Sequence, residues 1–152
     1  MTTPNFSIDL TGRTAIVTGA SAGLGRRFAK VLAACGAQVA CTARRKDRLD
    51  DLVAEISADG GTAQAFALDV RDAPQLPAVT EAMGQPDILV NNAGIVDAEH
   101  ATRMSIELID DVLDTNLRSV FILSNEFARP LIAQKTPGRI VNVASIAAMS
   151  YS

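Results

Sequence analysis

The chain is poor in the residues that build metal centres and disulfide frameworks. Its 152 residues include one histidine, two cysteines and only 4% aromatic residues. His100 has no second ligand at a metal-binding spacing, so we interpret it as a surface residue and predict no metal site. Cys35 and Cys41 fall at the end of a predicted helix and inside a predicted buried strand, which favours two reduced thiols over a disulfide. Because 48% of the residues are hydrophobic, we expect one large apolar core.

The chain also lacks long apolar runs and runs of positive charge. No stretch approaches the roughly 18 apolar residues of a membrane span, and residues 1–12 lack the apolar core of a signal peptide. The formal net charge is -3, and aromatic and basic residues do not interleave as they do on many nucleic-acid-binding surfaces. We therefore expect a cytoplasmic protein with small-molecule partners and without a membrane or nucleic-acid partner.

Short apolar runs alternate with amphipathic stretches along the chain. The pattern predicts strands at 15–17, 38–42, 63–70, 87–90 and 139–144, and helices at 25–35, 46–58, 72–83 and 105–134. Pro74 is predicted in the first turn of the third helix, and Pro130 is predicted to kink the fourth. Alternation of this kind predicts an α/β fold with a doubly wound parallel sheet, in a single domain over residues 1–152.

A glycine-rich turn connects the first predicted strand to the first predicted helix. Gly19 would allow the tight turn, Gly23 would let a pyrophosphate approach the backbone, and Gly25 would let the helix pack closely on the sheet. The helix N-terminus favours an anion, with the Ser21 hydroxyl as an extra donor. A second strand follows within one βαβ unit of roughly 30 residues, as a dinucleotide site requires. The alternative is a turn that merely joins strand to helix.

The end of the second predicted strand indicates which dinucleotide would bind. An NAD(H) site carries an acidic residue about 20 residues after the glycines, which accepts from the ribose 2′-hydroxyl. No carboxylate stands there in this chain, and Arg44, Arg45 and Lys46 follow instead. We therefore favour NADP(H), whose 2′-phosphate the arginines would bind, over NAD(H). The alternative is that these cations only solvate the start of the next helix, where they would oppose the helix dipole.

In chain order, the motifs resemble those of the short-chain dehydrogenases/reductases. TGASAGLG at 18–25 is similar to that family's TGxxxGxG, Asp69 and Val70 follow the third strand, and NNAG at 91–94 follows the fourth. Asn116 in DTNLRSVF and Ser145 at the end of IVNVAS resemble the family's active-site Asn and Ser. The resemblance covers nearly the whole chain. It implies a Rossmann fold that binds NAD(P) and an oxidoreductase activity.

Together, the residues and the resemblance assign a role to single positions. Asn116 and Ser145 are implied to be catalytic, Ser145 by polarising the substrate oxygen and Asn116 by supporting a proton relay. Contacts with the cofactor are predicted for Gly19, Ser21, Gly23, Leu24, Gly25, Arg44, Arg45, Asp69, Val70, Asn91, Ala93 and Gly94. In the family, the acidic residue that corresponds to Asp69 contacts the adenine.

Three of these assignments have structural alternatives, and a fourth carries a structural requirement. Asp69 could instead cap the helix that follows it. Asn91 and its neighbour Asn92 could be ordinary turn residues, although the carboxyl ends of strands hold ligands in doubly wound sheets. Asn116 falls on the apolar side of the long helix, where its amide needs hydrogen-bond partners. Ser145 could simply bond to backbone at the end of its strand.

The resemblance stops before the family's catalytic Tyr and Lys. That Tyr is expected about thirteen residues beyond the Ser, whereas Tyr151 is six residues beyond Ser145 and the sequence ends at Ser152. We give Tyr151 no catalytic role. We expect the N-terminal part of an NADP(H)-dependent oxidoreductase that interconverts an alcohol and a ketone or aldehyde, inactive by itself. The alternative is a non-catalytic nucleotide-binding or interaction module.

The long fourth helix is predicted to be apolar on two sides. Its core side is predicted to carry Ile109, Val112, Leu113, Leu117, Val120 and Phe127. The resemblance implies that its outer side, including Phe121 and Leu131, packs against the same helix of another subunit. We therefore expect a homo-oligomer, either a dimer or a tetramer.

Overall fold

A computed structural model describes residues 8–72, 75–96 and 100–145 of the chain. Five strands form one sheet: β1 (Thr14–Thr18), β2 (Gln38–Ala43), β3 (Thr62–Ala67), β4 (Ile88–Asn91) and β5 (Arg139–Asn142). Their order across the sheet is β3-β2-β1-β4-β5, and all neighbours pair in parallel. The predicted α/β fold with a doubly wound, five-stranded parallel sheet is confirmed.

Helices connect the strands in the described ranges. They are α1 (Gly23–Ala34), α2 (Lys46–Ala58), α3 (Leu76–Ala82), α4 (Ile106–Leu113) and α5 (Ser119–Gln134), with a 3-10 turn at Ala101–Arg103 and a π-helical turn at Asp114–Arg118. Among these described helices, none combines the length and the apolar character that crossing a bilayer requires.

Two apolar clusters, one on each face of the sheet, hold the helices in place. The first includes Val17, Val39, Leu49, Leu52 and Ile56, and the second includes Ile16, Leu76, Leu89, Leu123 and Phe127. Because both faces are covered, β1 and β2 are buried along almost their whole length, and each contains an unbroken apolar run, at 15–17 and 39–41. Cys41 belongs to the first cluster, where burial raises the pKa of its thiol to about 12, so this residue packs as a small hydrophobe.

β3 and β5 are shorter than the sequence predicts. They end at Ala67 and Asn142 instead of residues 70 and 144. In each case the neighbouring strand ends at the paired residue, because Ala43 lies opposite Ala67 and Asn91 lies opposite Asn142. The last bonds of the ladder are donated by the Leu68 N–H to the Ala43 carbonyl at 3.0 Å and by the Val143 N–H to the Asn91 carbonyl at 2.9 Å, and the pairing ends there.

Two helices begin at residues other than those predicted. α1 begins at Gly23, two residues before Gly25. α3 begins at Leu76 instead of residue 72, with Pro77 in its first turn, where a missing N–H removes no helical hydrogen bond. Pro74, which was predicted for that turn, lies outside the described residues.

The predicted long helix is present as α4, the π-helical turn and α5. Ser105 caps its start, with its Oγ accepting from the Leu108 N–H at 3.1 Å. The π turn inserts one residue, which rotates the preceding helix by about 100° relative to α5. Leu113 and Leu117, predicted on the core side, are exposed as a result. The predicted core side is therefore wrong for Leu113 and Leu117, whereas Ile109 and Val112 are half-buried.

The buried face of α5 is formed by Ser119, Leu123, Phe127 and Leu131. Leu131 was predicted on the outer side, and this is wrong, because a residue four positions after Phe127 lies on the same face. Phe121 is exposed, as predicted. α5 continues through Pro130 to its last residue, and the kink at Pro130 stays a prediction.

Candidate functional site

A cavity of about 540 Å³ opens at the carboxyl ends of β1 to β4. It lies where the strand order reverses, because β1 is flanked by β2 on one side and β4 on the other. Open α/β sheets bind their ligands at this point. Ten predicted site residues line the cavity: Gly19, Ser21, Gly23, Leu24, Arg44, Arg45, Asp69, Val70, Ala93 and Gly94. The remaining lining residues are Ala22, Ala43, Leu68, Asn92, Ile95 and Thr115.

The three glycines of the turn differ in what surrounds them. Gly19 has a φ of +67°, and a Cβ there would lie 2.8 Å from the Cα of Ala93. Gly23 also has a positive φ, +56°, but a Cβ there would meet no heavy atom within 4 Å. Gly25 does not line the cavity, and a Cβ there would collide with the carbonyl oxygen of Gly19 and the side-chain nitrogen of Asn92. The turn therefore has no room for a side chain at Gly19 or Gly25, whereas at Gly23 it faces open space in the cavity.

The start of α1 leaves backbone donors at the cavity wall. Its N-cap residue, Ala22, makes no side-chain capping hydrogen bond, and its first turn contains no acidic residue. The first N–H groups of a helix have no partner within that helix, and the helix dipole places partial positive charge there. This end of the cavity is therefore suited to an anion.

The basic side of the cavity comes from the end of β2. The Arg45 guanidinium donates to the Ser21 Oγ at 3.1 Å, so the two predicted phosphate-binding residues are in contact. The hydroxyl hydrogen of Ser21 is still able to donate to a ligand. Arg44 also lines the cavity, whereas Lys46 pairs with Asp50 at 2.6 Å on α2. Of the three basic residues that follow the second strand in sequence, two therefore line the cavity.

The acidic side of the cavity is formed by Asp69, which is bound by Arg71. The Arg71 backbone N–H donates to Asp69 Oδ1 at 3.0 Å, and its guanidinium donates to Oδ2 at 2.8 Å. These hydrogen bonds and the positive charge hold the pKa of Asp69 below its usual value. Asp69 does not cap α3, which begins at Leu76 with Gln75 as its N-cap residue.

The NNAG segment is tied to the first strand by Thr18. The Thr18 Oγ1 accepts from the backbone N–H groups of Asn92 and Ala93 at 2.9 and 3.0 Å, and it donates to the carbonyl of Val90. The Asn92 side chain donates back to the Thr18 carbonyl at 2.9 Å. Thr18 was not predicted as a site residue, although TGASAGLG contains it, and Asn92 was considered only together with Asn91.

Asn91 lies behind the cavity wall and does not line it. It is only 2% exposed, and its Nδ2 donates to Ser124 Oγ at 3.0 Å and to Asn142 Oδ1 at 2.9 Å. Side chains alternate between the two faces of a strand, and this one points towards α5 and β5. The structure thus places the Asn91 side chain in a link between β4, β5 and α5, and its contact with the cofactor stays a prediction.

The predicted catalytic Asn116 lies in the π-helical turn beside the cavity. Its Oδ1 accepts from the Ile95 N–H, and its Nδ2 donates to the Ile95 carbonyl, both at 2.8 Å. The Asn116 amide thus has the hydrogen-bond partners that were expected from its sequence position, and both belong to Ile95 in the loop after β4. The adjacent Thr115 lines the cavity and was not predicted. Asn116 therefore joins the long helix to the wall that carries Ala93 and Gly94.

Ser145 and His100 lie outside the cavity lining. Ser145 follows β5 by three residues, at the same carboxyl edge of the sheet, and is exposed. His100 is exposed as predicted, with its Nδ1 2.9 Å from Thr102 Oγ1. In the part of the chain that the structure describes, no three His, Cys, Asp or Glu side chains are grouped as a metal site needs.

Comparison with known proteins gives matches along nearly the whole chain. A family model described as short chain dehydrogenase matches residues 13–152. A 3-oxoacyl-[acyl-carrier-protein] reductase from Synechocystis is 38% identical over 145 residues, which cover 92% of this chain and 58% of the reductase.

Solved structures show the same similarity. A short-chain type dehydrogenase/reductase from Mycobacterium marinum matches with a TM-score of 0.90 at 35% identity, over 96% of this chain and 61% of that one. A putative 2-deoxy-d-gluconate 3-dehydrogenase from Agrobacterium tumefaciens, solved with bound NADP, gives a TM-score of 0.86 at 39% identity, over 96% and 58%. The chain spans about three fifths of the length of these relatives.

Proposed function

We propose that this chain, which belongs to the short-chain dehydrogenase/reductase family, forms the NADP(H)-binding domain of a cytoplasmic oxidoreductase. The reaction would interconvert a small-molecule alcohol and a ketone or aldehyde. The observation that carries the proposal is one cavity that combines an open glycine turn at a helix N-terminus, an arginine pair and an acidic residue.

Each part of the dinucleotide would find suitable chemistry in the cavity. The pyrophosphate would bind at Gly23 and the start of α1, where a side chain is absent and backbone N–H groups are available. The adenine would lie against Asp69 and Val70, and the nicotinamide would lie towards Gly94 and Thr115. The nicotinamide ring, when bound, supplies or accepts the hydride.

The 2′-phosphate is the reason for choosing NADP(H). Ala43, the last residue of β2, carries no acceptor for a ribose hydroxyl, and the Thr42 hydroxyl is fully buried, where it donates to the Val17 carbonyl at 3.2 Å. Arg44 and Arg45 line the cavity immediately afterwards. Guanidinium groups bind phosphate by charge-assisted hydrogen bonds, and the Arg45–Ser21 contact orients one of them before the ligand arrives.

Two residues outside the cavity are proposed for the chemical step. Ser145 would polarise the substrate oxygen by a hydrogen bond. Asn116 would hold the loop at Ile95 in place through its paired hydrogen bonds and support a proton relay at the long helix. A proton donor is also required for carbonyl reduction, and Tyr151 is too close to Ser145 in sequence for the position that the family gives it.

Binding without turnover is therefore the expected behaviour of these 152 residues. Purified protein should bind NADPH, seen as a change in NADPH fluorescence, but should not reduce a panel of ketones and aldehydes at ordinary enzyme rates. NADPH consumption at such rates would show that these residues do supply a proton donor, and would contradict this expectation. A failure to bind NADPH would overturn the proposed function itself.

Self-association is expected through the exposed side of the long helix. Leu113, Leu117 and Phe121 are spaced by four residues, and 67% of Leu117 and 74% of Phe121 are exposed. Exposed apolar side chains of this size favour association, and we propose that a second copy of the chain covers them. Sedimentation at tens of micromolar should show a dimer or a larger assembly.

Serine substitutions test this surface directly. Leu117→Ser and Phe121→Ser should shift the protein towards monomer. Ile132→Ser removes an equally exposed apolar side chain near the end of α5 and should leave the assembly unchanged. A wild-type protein that sediments as a single monomeric species would refute the proposal.

A further inference from the structure

Arg71 lies between two carboxylates that come from different parts of the chain. Its Nε donates to Asp69 Oδ1 at 3.1 Å and its NH2 donates to Asp69 Oδ2 at 2.8 Å. Its remaining terminal nitrogen, NH1, donates to Asp111 Oδ1 on α4 at 2.6 Å. Asp69 lines the cavity, whereas Arg71 does not. Arg71 therefore connects the cavity wall to the helix that continues into the π-helical turn.

The hydrogen bonds to Asp69 leave little of its carboxylate unused. A carboxylate accepts about four hydrogens, two at each oxygen. The Arg71 backbone N–H binds Oδ1 at 3.0 Å, Nε–H is shared between both oxygens, and one NH2 hydrogen binds Oδ2. These three donors leave about one acceptor position. Because Asp69 lines the cavity, that position is the one that a ligand can use.

We propose that Arg71 is a positioning residue for base recognition, which fixes the Asp69 carboxylate so that it accepts one N–H from the nucleotide base. This inference rests on the proposed function, because it places a dinucleotide in the cavity. A base with an exocyclic amine, such as adenine, supplies the required donor. A base with a carbonyl at the same position would bring two acceptors together and leave the carboxylate unsatisfied.

Asp111 is the second anchor of this arrangement. A long arginine side chain loses conformational freedom when both ends of its guanidinium are bound, so Asp111 reduces the ways in which Arg71 and Asp69 can turn together. Asp111 also lies four residues before Thr115, which lines the same cavity. The cavity wall at Asp69 and the long helix are thereby joined through the Arg71 side chain.

Base preference gives a readout that a purely structural role would not move. The full 152-residue protein is titrated with NADPH and with its hypoxanthine analogue, which has a carbonyl in place of the adenine amine. Wild type should prefer NADPH by about tenfold or more, the value of one hydrogen bond to a charged group. Arg71→Gln should remove most of this preference, mainly by weakening NADPH.

An arginine just after the helix that carries Asp111 provides the matched control. Arg118 pairs with Asp114 at 3.5 Å and does not bind Asp69, so Arg118→Gln should keep the wild-type preference. If circular dichroism shows that Arg71→Gln is unfolded, Arg71→Lys and Asp111→Asn take its place. Both keep part of the arrangement, and both should show a reduced preference.

The possible failures are distinguishable. If wild type binds both dinucleotides equally, or if folded Arg71 and Asp111 variants keep the full preference for NADPH, the role of Arg71 is overturned and the proposed function stands. If wild type binds neither dinucleotide, the proposed function is overturned and this inference falls with it.

Discussion

Replacing Arg44 and Arg45 together with alanine is expected to weaken NADPH binding by about 10- to 150-fold. A hydrogen bond to a charged group contributes roughly 1.5–3 kcal/mol, which corresponds to this range of affinity. Both arginines line the cavity, and Arg45 is already held by Ser21 at 3.1 Å. NADH has no 2′-phosphate, so its affinity should change little. Fluorescence titration of the same protein with both cofactors measures the difference.

A neighbouring cation serves as the matched control for this double variant. Lys46 follows Arg45 directly but binds Asp50 and does not line the cavity. Lys46→Ala removes the same charge per residue and should leave both affinities close to wild type. Added salt should weaken NADPH more than NADH in the wild type, because screening acts on the extra phosphate. Equal weakening of NADPH and NADH in the double variant would show that the end of β2 does not bind the 2′-phosphate.

The parts of this site that were predicted from sequence depend on local backbone geometry. Gly19 is in the left-handed conformation that its place after an apolar strand predicts, and the arginines at the end of β2 lie at the cavity because strand ends meet at one edge of a parallel sheet. A motif of adjacent residues carries this information by itself. The fold was predicted from the sequence for the same reason, since each strand and helix is apparent from its own periodicity.

The parts that were missed depend on contacts between distant segments. Arg71 and Asp111 are 40 residues apart in sequence, and nothing in either segment indicates that they meet. The π-helical turn has no periodicity of its own, yet it moves Leu113 and Leu117 to the surface. The bonds of Asn91 to Ser124 and Asn142 were missed because the motif gives its position at a strand end but does not show which face its side chain occupies.

Gly25→Ala is expected to destabilise the fold by about 1–3 kcal/mol, the usual cost of overpacking a filled site. Helix propensity alone predicts the opposite, because alanine stabilises a helix interior by roughly 1 kcal/mol over glycine. The steric contact of the new Cβ decides whether the free energy of unfolding falls or rises. A Cβ at Gly25 meets the carbonyl oxygen of Gly19, which is backbone and cannot rotate away, as well as the side chain of Asn92. At the upper end of this range, the melting temperature should fall by roughly 6 to 12 °C, measured by calorimetry.

Gly23→Ala separates this packing effect from ligand binding. A Cβ at Gly23 meets no atom within 4 Å, so the variant pays only for its φ of +56°, about 1–2 kcal/mol for a residue other than glycine. Its methyl group would, however, occupy the open side of the turn, where we place the pyrophosphate. For a given loss of stability, Gly23→Ala should therefore weaken NADPH binding more than Gly25→Ala does. If Gly25→Ala proves more stable than the wild type, then α1 does not pack against the turn as closely as the distances from Gly25 require.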